Sequence, residues 1–127
     1  MTTFLTEEDV LLIHEMQVER FGGASGLRDR GMLASAVAQP QATFGGELVH
    51  GELFEMAAAY LFHLVSNHAF VDGNKRVGLA SALVFLDLNG VSLRTGTETL
   101  YLLTMAVARG EAQKSVIATT LRDLVGG

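Results

Sequence analysis

His68-Ala69-Phe70-Val71-Asp72-Gly73-Asn74-Lys75-Arg76 stands between two apolar segments of this chain, and reading those segments decides the fold. Upstream, Leu53, Phe54, Ala57, Ala58, Leu61, Phe62 and Val65 recur at helical spacing, which predicts a helix from Glu52 to Asn67. Downstream, a second helix is predicted from Gly73 to Leu88. It has no charge between Val77 and Leu86, so it is expected to be buried on all sides. Asn89-Gly90 reads as its C-terminal stop rather than a hairpin turn, because the flanks do not alternate as strands do. The two helices then form an apolar hairpin at the core, with the polar stretch held firmly at its tip.

Outward from this hairpin the period stays helical. Thr6 opens a first helix with Glu7, Glu8 and Asp9 in its first turn, and Gly22, Gly23 and Gly26 break it after Arg20. Asp29 caps a second helix, which Pro40 ends because the residue before a proline avoids the α region. A glycine-containing loop runs from Gln41 to Gly51, and Val91-Ser92-Leu93 reads as a short extended piece. Thr95 and Glu98 resemble a capping box that opens a fifth helix, stopping at Gly110. Ser115 caps a sixth, which ends near Leu124.

The whole chain sets limits. Its 127 residues fit one domain, which buries roughly two thirds of its unfolded surface and needs no staple. At 49% hydrophobic and 18% charged it is globular rather than disordered. With no cysteine it makes no disulfide or thiolate metal site, which suits a reducing cytosol. No secretory leader is expected from Met1-Thr2-Thr3-Phe4, the apolar runs are far short of a membrane span, and the expected location is cytoplasmic. A net charge of -5 argues against direct DNA or RNA binding, because that affinity comes largely from cations neutralising phosphates. The paired cations Lys75 and Arg76 suit a small anion better than a long polyanion.

The polar stretch has the composition of a magnesium–polyphosphate site. The first N–H groups of a helix lack intrahelical partners, and the dipole is positive there, so the start of the helix at Gly73 is an anion site before any side chain contributes. Gly73 lets a phosphate approach the backbone, Asn74 and Lys75 add donors, and Arg76 offers a fork to phosphate oxygens. Asp72, at the expected cap position, can hold magnesium through one oxygen. His68 belongs to the residue type that accepts a hydroxyl proton near pH 7. Phe70 is expected to point inward and anchor the loop.

Each residue alone has a plainer reading: Asp72 as a cap, Asp-Gly as a turn, His68 as a polar loop residue, and Lys75 and Arg76 as solvated surface. The joint spacing H-x-F-x-D-G-N-x-R is what is specific. A chance match in a chain this long is on the order of one in a million. Among the other histidines, His63 reads as a satisfied core residue and His14 as structural or surface, while the role of His50 is open. A zinc site from His50, His63, His68 and Asp72 has suitable ligand types but none of the tight spacings of zinc motifs.

His68 to Arg76 resembles the signature of Fic-domain proteins, and Lys75, where most of them have glycine, resembles the Doc (death-on-curing) branch. The resemblance runs from His14 to Gly90, through Gly22-Gly23, Gly26-Leu27-Arg28-Asp29, Gly31, Leu33, Ser35-Ala36 and Pro40-Gln41, and on through Ser81-Ala82-Leu83. It implies an all-α fold of about six helices, with His68 as base, Asp72 on magnesium, Gly73 and Asn74 as anion hole, and Lys75 and Arg76 on the phosphates of ATP. It further implies a toxin of a toxin–antitoxin pair, which phosphorylates a threonine of elongation factor Tu and is covered by a Phd-type antitoxin. One departure bears on the reaction and another on regulation. Leu79 stands where the wider pattern often has a second arginine. Thr43 to Glu47 has the spacing of a self-inhibitory S/T-x-x-x-E motif, but Leu48 follows where glycine or asparagine is required. The alternatives are a Fic-type AMP transferase and, from another class, a catalytically silent partner-binding module.

Overall fold

The computed structural model describes residues 1–93 and 96–125. Its helices are α1 (Glu7–Phe21), α2 (Arg30–Ala38), α3 (Leu53–Asn67), α4 (Asn74–Leu88), α5 (Thr97–Ala108) and α6 (Lys114–Val125). The all-α class is therefore as expected. One hairpin is added, pairing β1 (Thr43–Phe44) with β2 (Glu47–Leu48).

Local chemistry sets most helix ends. Thr6 Oγ1 accepts the Asp9 N–H at 3.1 Å and Asp9 Oδ2 accepts the Thr6 N–H at 2.8 Å, which closes a capping box on α1. Asp29 Oδ1 accepts the Met32 N–H at 3.0 Å and starts α2. Pro40 follows the end of α2, but not for the reason anticipated. Gln39 is itself in the α region (φ -57, ψ -44) and donates to Ala36 O. The chain tightens into a 3₁₀ turn over Gln39–Gln41, in which proline needs no N–H of its own. Two other expected caps also differ. Ser115 lies inside α6, which begins at Lys114, and Thr95 lies outside the described residues, with Gly96 capping α5.

The more deeply buried helix is α3, not α4, although Glu55 and Ser66 on it are exposed. Met56 through Leu61 are all buried, with α2, α4, α5 and α6 packed around them. On α4 only one face is covered, by Val77, Gly78, Ser81, Ala82, Phe85 and Leu86, while Val84 and Leu88 are exposed. An uncharged run is not the same as an enclosed one, because small neutral side chains tolerate water. Tyr60, at the centre, accepts the Leu5 N–H at 2.8 Å and ties the N-terminal segment to α3.

Close approach of α3 and α4 holds the tip of their hairpin in place. A Cβ at Gly78 would lie 2.7 Å from Val65 Cγ2 and 3.2 Å from Leu61 O. Gly78→Ala is therefore expected to destabilise. Overpacking costs about 1–3 kcal/mol, and the helix propensity of alanine offsets up to about 1 kcal/mol of it. A urea midpoint at or above that of the wild type would show that the two helices separate freely.

The expected loop from Gln41 to Gly51 contains the hairpin. Gly45 and Gly46 (φ 60 and 84) form its turn, with Thr43 opposite Leu48 and Phe44 opposite Glu47. The Thr43–Glu47 spacing thus falls across a hairpin rather than along a helix. Among the described residues, no helix is long and apolar enough to cross a membrane.

Candidate functional site

The polar stretch begins where α3 ends. His68 takes the left-handed conformation (φ 51, ψ 46), the only described residue other than glycine with positive φ. Such a residue costs about 1–3 kcal/mol and persists only where its surroundings hold it, as they do here. The His68 carbonyl accepts Arg28 Nε–H at 2.8 Å. Ala69 O accepts the N–H groups of Arg28 and Asp29 at 2.7 and 2.9 Å, and the Val71 N–H donates to Gly26 O at 3.1 Å. The segment between α1 and α2 therefore runs alongside the loop, bridging Leu27 to Phe70. The His68 imidazole itself is exposed.

Phe70 is buried and stacks on the buried ring of His14, with centroids 3.9 Å apart and planes 11° apart. This confirms its anchoring place and settles His14 as an interior residue. The His14 Nε2–H donates to the Asp72 carbonyl at 2.6 Å, since a carbonyl can only accept. Asn74 clamps the same loop: its Oδ1 accepts the Phe70 N–H and its Nδ2 donates to Phe70 O, both at 3.0 Å. The side chain of Asn74, expected to add donors for phosphate, thus spends its oxygen and one of its two N–H donors on Phe70.

Asp72 lies one residue before the cap position, which Gly73 takes in the left-handed conformation (φ 78). The difference matters chemically. A capping carboxylate would bond the second or third N–H of the helix and close the anion site. Instead Asp72 Oδ1 accepts the Gly73 N–H at 2.8 Å and Oδ2 accepts the Ala24 N–H at 3.2 Å. No side chain caps α4, and the N–H groups of Asn74, Lys75 and Arg76 have no protein partner among the described residues. Of the two residues expected to form the anion hole, Gly73 has its N–H engaged by Asp72, whereas the N–H of Asn74 is without a protein partner among the described residues. The Ala24 N–H, then the Gly73 N–H, with Arg76 and His14 contributing less, hold the exposed Asp72 carboxyl below its ordinary value. It is ionised at neutral pH, a hard oxygen donor beside free amides, and so fits magnesium.

The two cations differ. Lys75 is exposed. Arg76 is partly engaged, its Nη1 donating to Gly22 O at 2.8 Å and Gln17 O at 3.4 Å at the C-terminal end of α1. Gly23 makes room for the group, since a Cβ there would lie 2.7 Å from Asp72 Oδ2 and 2.8 Å from Arg76 Nη2. Beside them opens an apolar groove of about 460 Å³, lined by Phe21, Leu79, Tyr101 and Met105 with Lys75 and Arg76 at one side.

The structure places His50 and His63 elsewhere, both against Lys114. Its Nζ donates to His63 Nε2 at 3.0 Å and to His50 Nε2 at 3.4 Å. No set of three or more metal-ligating side chains occurs among the described residues. His63 is half-buried, so the core reading was right about its satisfied nitrogen and wrong about its enclosure. Burial first, then Lys114, then His50 push the His63 imidazole down from 6.5 to about 4; burial and Lys114 also lower His50. Because the folded state favours neutral His63, its contribution is complete above pH 6.5 and is lost as the pH falls toward about 4. His63→Gln should flatten the fall of the urea midpoint across that window. A variant profile parallel to that of the wild type would show that His63 does not report on folding.

Sequence reasoning missed the contacts of Arg28, the Ala24 amide, Gly23 and His14 with the loop. All four lie in or before the glycine-rich break after α1, which the family resemblance also covers, but neither glycine content nor resemblance shows that this segment packs against the loop.

Residues 4–86 match the Fic/DOC family. The chain is similar to the protein kinase doc of Escherichia phage P1, with 38% identity over 122 residues, 96% of this chain and 95% of that protein. It is also similar to the toxin Doc of Mycolicibacterium smegmatis (strain ATCC 700084 / mc(2)155), with 48% identity over 93 residues, 73% of this chain and 69% of that protein.

Proposed function

This chain belongs to the Fic/Doc family, and from that premise we propose that it is a Doc-type toxin, a protein kinase that transfers the γ-phosphate of ATP to a protein hydroxyl. The observation that carries the reading is the open start of α4. Its free amides follow an ionised Asp72, and an exposed His68, held in a strained conformation, opens the same loop.

In this reading the amides of Asn74, Lys75 and Arg76 receive phosphate oxygens, and the side chains of Lys75 and Arg76 add charge. Asp72 holds magnesium, which when bound offsets the phosphate charge. His68 takes the proton of the target hydroxyl as that oxygen bonds to the γ-phosphorus and the bond to the bridging oxygen of ADP breaks. The proposed target is a threonine of elongation factor Tu, as the family resemblance implies.

The proposed partner is a Phd-type antitoxin. The apolar groove of Phe21, Leu79, Tyr101 and Met105 supports this, since it opens directly beside Lys75 and Arg76. A segment lying there would cover the cations of the site. The test of the site is an ATP titration with and without magnesium, for the wild type and Asp72→Ala. Magnesium should strengthen binding to the wild type and have little effect on the variant; equal affinity in all four cases would remove the metal role of Asp72.

A further inference from the structure

We infer that His14 is a positioning residue for the metal-binding carboxylate, acting through its Nε2–H on the Asp72 carbonyl; the inference rests on the magnesium–ATP reading above and adds a residue to it. The Asp72 carbonyl and the Gly73 N–H belong to one planar peptide unit, which moves as a single body. The structure grips that unit at both ends. His14 Nε2–H holds the carbonyl at 2.6 Å, and the carboxylate of Asp72 takes the N–H at 2.8 Å. Rotation of the unit would carry the N–H away from Oδ1, freeing the carboxylate to turn. Gly73, left-handed at φ 78, offers little steric resistance to that rotation.

The donor is itself rigid. His14 is 2% exposed, and its ring lies flat against Phe70 at 3.9 Å, so packing fixes the direction of Nε2. It reaches the loop from α1, 58 residues away in sequence. The other grip on the carboxylate is the 3.2 Å bond from the exposed Ala24 N–H, in the segment between α1 and α2. His14 is thus the buried, preoriented part of the arrangement. Groups that orient a metal ligand in this way commonly change metal affinity 10–100-fold when removed.

The test compares His14→Gln with His14→Met. The two side chains have equal length and both lose the ring stack, but only glutamine keeps a donor at the ε position. Thermal midpoints should fall together. Apparent magnesium affinity, read by calorimetric titration of ATP at graded magnesium without any protein target, should fall about 10–100-fold in His14→Met and only a few-fold in His14→Gln. Equal magnesium affinity in the two variants, whether retained or lost, would overturn the role of the donor. Amide exchange at Gly73 and Ala24 in the nucleotide-free protein gives a second readout. Faster exchange in His14→Met than in His14→Gln supports the positioning role, and equal exchange overturns it. If the wild type binds ATP equally with and without magnesium, the site reading itself fails, and the exchange comparison still decides whether His14 positions Asp72.

Discussion

His68→Ala should fold as the wild type does and lose about 10²–10⁴ of its transfer rate, the usual cost of removing a positioned general base. Truncation opens no core cavity, since the side chain is exposed. The bond from Arg28 survives, because it is made to the backbone carbonyl. The left-handed strain survives too, because alanine also carries a Cβ. Expression of both forms from a tightly controlled promoter should show growth arrest for the wild type alone, with equal helical content. A folded variant that still arrests growth would rule out His68 as the base.

Elongation factor Tu should gain label from γ-labelled ATP and none from α-labelled ATP. The two outcomes separate the kinase from an AMP transferase, because one requires attack at the γ-phosphorus and the other at the α-phosphorus, each in line with its leaving oxygen. His68 can serve either reaction, so the choice rests on how the nucleotide lies along the start of α4. In the proposed reading Lys75 puts bulk and charge where the glycine of most Fic proteins would leave the phosphates room. Leu79 lines the apolar groove, at the position where the family resemblance implies a second arginine for the AMP-transferring pose. Lys75→Ala should therefore slow γ-transfer. A variant as fast as the wild type would reduce the lysine to a surface charge, and label arriving from the α-position would move the protein to the AMP-transferring reaction.

Much of the site could be read directly because it is local. Nine consecutive residues carry His68, Asp72, Gly73, Asn74, Lys75 and Arg76, and two strongly periodic helices bracket them. Helical period and capping are short-range effects, so the starts of α1 and α2 at Thr6 and Asp29 were equally plain. The hairpin at Gly45-Gly46 was not, because strands of two residues are too short to alternate. The deeper burial of α3 than of α4 was hidden for a different reason. Hydropathy records which faces tolerate burial, whereas the number of helices packed around each one is a property of the assembled bundle.

The sequence by itself determined the helical class and which residue types meet at the start of α4. Tertiary structure decided which of their atoms are free. Asn74 uses its side chain on Phe70, Gly73 gives its N–H to Asp72, and Arg76 gives part of its fork to Gly22 and Gln17, while the backbone N–H groups of Asn74, Lys75 and Arg76 have no protein partner among the described residues. It also brought in His14 and Arg28, whose partners lie 58 and 40 residues away. The physical reason is that a hydrogen bond depends on distance and direction in space. Composition fixes the inventory of donors and acceptors, and only the packed chain fixes which of them remain for a ligand.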